Sequence, residues 1–152
     1  MASDLTVVDL GSHPHGADSV EILRKAYEPR VLYAFDPLYS VFEVGTFHRG
    51  GTRIVLSRSA AYTFDGRCGL HRNGTSTSLM PGDDADCFDV ATFLLGLKGR
   101  IVLKMDVEGA EYDILARLKE AGADERLECV LVEWHAPPQD YGLACPVELW
   151  EH

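Results

Sequence analysis

Ile101-Val-Leu-Lys-Met-Asp-Val-Glu-Gly-Ala-Glu-Tyr-Asp-Ile-Leu115 decides how this chain folds. Ile101 to Met105 is an apolar run with one polar break, the pattern of a buried strand in a parallel sheet. From Ala110 the apolar residues Ala110, Ile114, Leu115 and Leu118 recur at helical spacing. Asp106, Glu108 and Gly109 lie between the two patterns. A strand therefore runs into a helix, with acids gathered at the strand's carboxyl end. In open α/β sheets that rim is where ligands bind. Glu111 and Asp113 fall in the first helical turn, where opposition to the macrodipole accounts for them. Asp106 and Glu108, beside the corner at Gly109, need another reason.

Outward from this unit the same alternation repeats. Leu5 to Leu10 is a β-branched apolar strand ending near Asp9. A turn from Gly11 to Gly16 leads to a predicted helix over 17–27, stopped at Glu28-Pro29. Val31 to Phe35 is a second strand, followed by Asp36-Pro37. Pro37 suits a first helical position, and Leu38, Val41, Phe42 and Gly45 continue one face until Gly50-Gly51. Arg53 to Ser57 is a third strand. Strand and helix in alternation predict a parallel sheet with right-handed crossovers.

Residues 58–88 carry weaker signals. Ala60 to Phe64 reads as a short strand, Asp65-Gly66 and Asn73-Gly74 as turns, and Pro81 to Asp86 as an exposed acidic loop. A loop of this length is usually functional or mobile. Asp89 is placed to cap a helix through Val90, Phe93, Leu94 and Leu97, with Gly99 at its end. Cys129 to Trp134 is a further buried strand, which would form a bare sheet edge if nothing covered it. One short strand is expected at Pro146 to Trp150.

Composition narrows the function. The 152 residues suit one domain with one sizeable core. A net charge of −10 and a pI near 4.9 argue against a nucleic-acid partner, which needs clustered Lys and Arg. No run approaches the ~18 apolar residues of a membrane span, and Leu5 to Leu10 is too short for a secretory leader. The four cysteines form no CxxC pair and read as free thiols, so a cytoplasmic setting is expected.

Two features point to a nucleoside cofactor. The Gly11 turn precedes a helix, whose first amides are free to bind. Asp36 ends the second strand, where a carboxylate can accept both hydroxyls of a ribose; alone, it reads equally as a helix cap beside Pro37. A pyrophosphate would be crowded by His13, which stands where GxGxxG has its second glycine. S-adenosyl-L-methionine has no phosphate, and its sulfonium suits an acidic rim. Cys68-x-x-His71 with His13 and His15 is poor evidence for zinc. An ion on Asp106, Glu108 and Glu133 is conceivable, but spacing leaves its geometry open, so no metal ligand is assigned.

Lys104-Met-Asp-Val-Glu-Gly-Ala-Glu111 resembles the signature of FkbM-type S-adenosylmethionine-dependent methyltransferases. Val8-Asp-Leu-Gly11, Ala34-Phe-Asp-Pro37, Ser76-Thr-Ser-Leu79 and Val132-Glu-Trp-His135 resemble that family's other motifs. The resemblance implies a Rossmann-like, mostly parallel sheet with helices on both faces, here without the last strands of a class I methyltransferase. It implies transfer of a methyl group to a small-molecule hydroxyl. Asp9, Gly11, Ser12, Gly16, Asp36, Pro37, Ser57 and Asp106 are the expected cofactor contacts, with Asp36 on the ribose and Gly11 near the methionine part. Asp106 and Glu108 are expected at the acceptor's entry, His135 as general base, and Lys104 paired with a rim carboxylate. The glycine loop is one residue longer than the family's, and the shortened sheet makes a homodimer one way to complete the site. Two other readings compete: a catalytically silent cofactor-binding module, and a nicotinamide-dependent oxidoreductase.

Overall fold

The computed structural model describes residues 3–12, 18–73 and 76–151. Among the described residues, ten strands and three α-helices alternate unevenly: β1 (Leu5–Leu10), α1 (Ser19–Tyr27), β2 (Val31–Phe35), β3 (Gly45–Arg49), β4 (Thr52–Ser57), β5 (Ala60–Tyr62), β6 (Gly66–Asn73), β7 (Ser76–Asp89), α2 (Val90–Leu95), β8 (Arg100–Met105), α3 (Glu111–Ala121), β9 (Leu127–Val132) and β10 (Val147–Leu149), with a short 3-10 turn at Ala123–Arg126 after α3. Seven strands form one sheet in the order β10-β9-β8-β1-β2-β4-β3, and β5-β7-β6 form a second. In the large sheet the β3–β4 pair is antiparallel and the other pairs are parallel. The molecule is thus α/β, with a mostly parallel mixed sheet.

The strands are central because their side chains alternate between two cores. Val8, Leu10, Ile101, Leu103 and Met105 pack with Leu94 of α2 and with Ile114, Leu115 and Leu118 of α3. Leu5, Val7, Leu32, Ala34 and Val102 pack with Val20 and Leu23 of α1. A strand buried on both faces is a near-continuous apolar run, and this is why β1, β2, β8 and β9 are readable in sequence. Helix ends follow local chemistry. Asp18 accepts the Glu21 amide at 3.3 Å, Asp89 accepts the Ala91 amide at 3.2 Å, and Gly122 (φ +72°) closes α3 in the left-handed conformation.

Three expectations are corrected. No helix follows Pro37. Residues 37–38 turn, Ser40 and Glu43 cap one another, and β3 then pairs with β4. Phe42 is 94% exposed, so that segment has no core beneath it to stabilise a helix. Gly50 and Gly51, with φ of +56° and +84°, form the two-residue corner of this hairpin rather than a helix stop. Residues 58–88 are mostly a three-stranded sheet, not a loop. Met80 pairs with Gly69 and Ala85 with Cys68, so 81–84 bulge out of β7. Arg67 holds the bulge through Asp83 at 2.7 Å and Asp86 at 3.0 Å. The second helix ends at Gly96, before Gly99.

The tail supplies one strand, as expected. β10 pairs parallel with β9, covers what would have been its bare edge, and delivers the buried Trp150 onto the α1 face. No described helix is long and apolar enough to cross a membrane. Cys68, Cys87, Cys129 and Cys145 are free thiols.

Candidate functional site

The strand order reverses between β1 and β8: β2 and β4 extend the sheet to one side, β9 and β10 to the other. Connections leaving a sheet in opposite directions open a crevice at the strand ends. A cavity of about 270 Å³ lies there, and its wall includes Gly11, Asp36, Pro37, Asp106, Glu108 and Glu133. Ala60 and Ala61 of β5 and Thr77 and Leu79 of β7 also line it, so the small sheet forms part of its wall.

One charge pair sits inside the sheet, with its lysine, Lys104, on the cavity wall. Asp9 and Lys104 are register neighbours on β1 and β8. Their side chains are 0% and 1% exposed, with Lys104 Nζ 2.8 Å from Asp9 Oδ1. Lys104 also donates to the Gly11 carbonyl at 3.1 Å, and its ammonium lies 5.6 Å from the Trp150 ring centroid. Ser19 of α1 donates to the second Asp9 oxygen at 2.6 Å. Asp9 is therefore not a wall residue; it holds the strand ends from behind. Gly11 has φ +76°, and a Cβ there would lie 1.8 Å from the Asp106 carbonyl oxygen. The glycine is required by contact between two backbones.

The remaining expected contacts divide. Asp36 Oδ1 accepts the Leu38 amide at 2.9 Å, fixing the turn that brings Asp36, Pro37 and Leu38 to the wall. Ser12 is buried against Tyr39, oxygen to oxygen at 2.6 Å, outside the wall. Ser57 contributes its carbonyl to the Asp36 amide at 3.2 Å and does not line the cavity. Gly16, like His13 and His15, lies outside the described residues.

The second cluster lies past the ends of β8 and β9. His135 Nε2 is 3.1 Å from Glu108, 3.4 Å from Glu133 and 3.5 Å from Asp106. Its Nδ1 is 2.9 Å from Glu111 Oε1. Glu111 is fully buried and accepts the backbone amides of His135 and Gly109, each at 3.0 Å. Glu108 has φ +49°, an uncommon conformation for a side-chain-bearing residue. Burial opposes protonation of His135, but its hydrogen bond to Glu111 and the neighbouring acids outweigh this and raise its pKa. Burial, together with hydrogen bonding to Glu133, pushes Asp106 up to about 6. Glu108, Asp106 and His135 are thus brought together as expected, whereas Lys104 pairs with the buried Asp9 instead of a rim carboxylate.

Two participants escaped the sequence reading. Glu111 is not merely a macrodipole acid; its partner His135 is far along the chain and invisible to helical spacing. Trp150 is also on the cavity wall, and only the β9–β10 pairing brings it there. Comparison of the chain with protein-family models, curated proteins and solved structures found no match.

Proposed function

We propose that this chain is an S-adenosylmethionine-dependent methyltransferase acting on a small-molecule hydroxyl, with its mostly parallel sheet serving as a Rossmann-like methyltransferase scaffold. The observation that carries this reading is the cavity at the β1–β8 reversal, walled by Gly11, Asp36 and Asp106. Asp36 would accept the ribose hydroxyls, while Leu38, Ala60 and Leu79 offer apolar surface to the purine. The acids Asp106, Glu108 and Glu133 favour the sulfonium charge. The acceptor oxygen attacks the methyl carbon in line, the carbon–sulfur bond breaks, and its electron pair remains on sulfur. The hydroxyl proton passes to neutral His135 at Nε2, with Asp106 and Glu108 orienting the acceptor.

One observation favours a cofactor-binding module without turnover: both imidazole nitrogens already face carboxylates. Calorimetry with S-adenosylmethionine, S-adenosylhomocysteine and NADH, followed by mass analysis of hydroxylated acceptors, separates the readings. The expected result is binding of the adenosyl compounds alone, and an acceptor gaining one methylene of mass. Asp36→Ala should weaken cofactor binding about 10- to 100-fold, the scale of a lost hydrogen bond to a charged group. Absence of adenosyl binding at millimolar concentration would remove the proposal.

A further inference from the structure

We infer that Asp106, Glu108, Glu133 and His135 form a binding site for one divalent transition-metal ion. One ligand atom from each lies within 4.8 Å of all the others. Two ligands on one ion at about 2.1 Å can be no more than about 4.2 Å apart, so contraction by roughly half an ångström would close the set. The three carboxylates project from the ends of neighbouring strands, and among the described residues their ion pairs are all with His135.

Two further observations point to a ligand. Asp106 Oδ1 is shut off from solvent yet has no hydrogen-bond partner, and it lies 3.5 Å from His135 Nε2. An enclosed acceptor of this kind is costly unless something binds it. The buried Glu111, which is not itself one of the four, holds Nδ1 of the imidazole and so aims Nε2 into the set. A carboxylate behind a histidine is the arrangement that orients an imidazole toward a metal. Oxygen donors with one imidazole suit Mn²⁺ or Zn²⁺ better than a thiol-seeking ion. Asp106, Glu108 and Glu133 also line the cavity, so an ion held by them would face whatever occupies it.

The site stands apart from the methyl-donor reading, but its role rests on that reading: the ion would bind the acceptor hydroxyl and lower its pKa. His135 would then be a ligand, and the ion would replace it as activator.

The probe is Mn²⁺ alone, added to the metal-stripped full chain without any adenosyl compound. Electron paramagnetic resonance should show one Mn²⁺ taken up per chain. Pulsed spectra of the bound ion should carry nitrogen coupling from one imidazole, lost in His135→Gln. Glu133→Gln should weaken uptake at least tenfold and Glu111→Gln about 10- to 100-fold, whereas Asp83→Asn on the β7 bulge should not change it. Mn²⁺ remaining free at millimolar protein would overturn the inference, as would bound Mn²⁺ without nitrogen coupling in the unaltered chain. That last reading needs no variant to fold. If Mn²⁺ binds but S-adenosylmethionine does not, the site survives and the methyltransferase reading fails. In an active enzyme, full turnover in the presence of chelator would return the base role to His135.

Discussion

The two ionic groups at the strand ends contrast sharply. Asp9 and Lys104 are matched in charge, almost wholly buried, and roofed by Trp150. The Asp106–Glu108–Glu133–His135 group has an excess of acid, with side chains 23–32% exposed, and its acids face the cavity. Buried charges persist only when paired and hydrogen-bonded. The first group therefore fixes the framework, and the second keeps uncompensated acid facing the cavity. Their separation also explains why Asp9 and Asp36, both near the ends of parallel strands, have different tasks: one is locked by an ammonium, the other lines the cavity.

The contrast predicts a large asymmetry under mutation. Lys104→Met should cost about 3–5 kcal/mol in urea unfolding, because it strands the Asp9 carboxylate in the core. The double variant Asp9→Leu/Lys104→Met should recover most of that loss. A single-variant cost below about 1 kcal/mol would break the claim that this pair is a framework element. Gly11→Ala comes next: the left-handed backbone costs about 1–3 kcal/mol, and the overlap of its Cβ with the Asp106 carbonyl adds to that. An unchanged midpoint would mean that the two strand ends are free to separate.

A smaller effect is expected away from the rim. Asp89 caps α2 and pairs with Arg117 of α3 at 3.0 Å. Burial works against its charged form, but hydrogen bonds from Arg117 and Thr92 outweigh burial and hold the carboxyl below its usual value. A depressed carboxyl stabilises the fold above its unfolded pKa, and that stability is lost as pH falls through the folded value. Arg117→Ala should therefore lower the urea-unfolding midpoint at neutral pH, where this stability is fully present, and change the midpoint little in acid. A midpoint that does not move would assign the α2–α3 contact to apolar packing alone. The smallest effect belongs to Phe42→Ser, within about 0.5 kcal/mol in thermal unfolding, because the ring is 94% exposed.

The same contrast explains what was legible in the sequence. β1, β2, β8 and β9 are continuous apolar runs because both sheet faces are covered, and the caps at Asp89 and Gly122 announce themselves locally. The β3–β4 hairpin was missed because Leu38, Val41 and Phe42 imitate a helical face, although Gly50-Gly51 is also a hairpin signal. The β6–β7 ribbon was hidden by strand-poor residues, Gly82 and Asp83 to Asp86, which occupy its bulge and lower end. At the site, the motif Lys104 to Glu111 exposed the acids but not their division of labour. Whether an acid is locked or available depends on partners elsewhere in the chain: Lys104 for Asp9, and His135 for Glu111.

The Lys104 ammonium has a practical consequence for redesign. It grips the Gly11 carbonyl as well as Asp9, and Trp150 roofs it from the far end of the chain. A turn transplanted from another protein onto the end of β1 would arrive without the ammonium that holds the Gly11 carbonyl. Such a graft must carry three cassettes together, the turn, the centre of β8 and the tail, or the Gly11 carbonyl will lose its ammonium partner and that ammonium its aromatic cover.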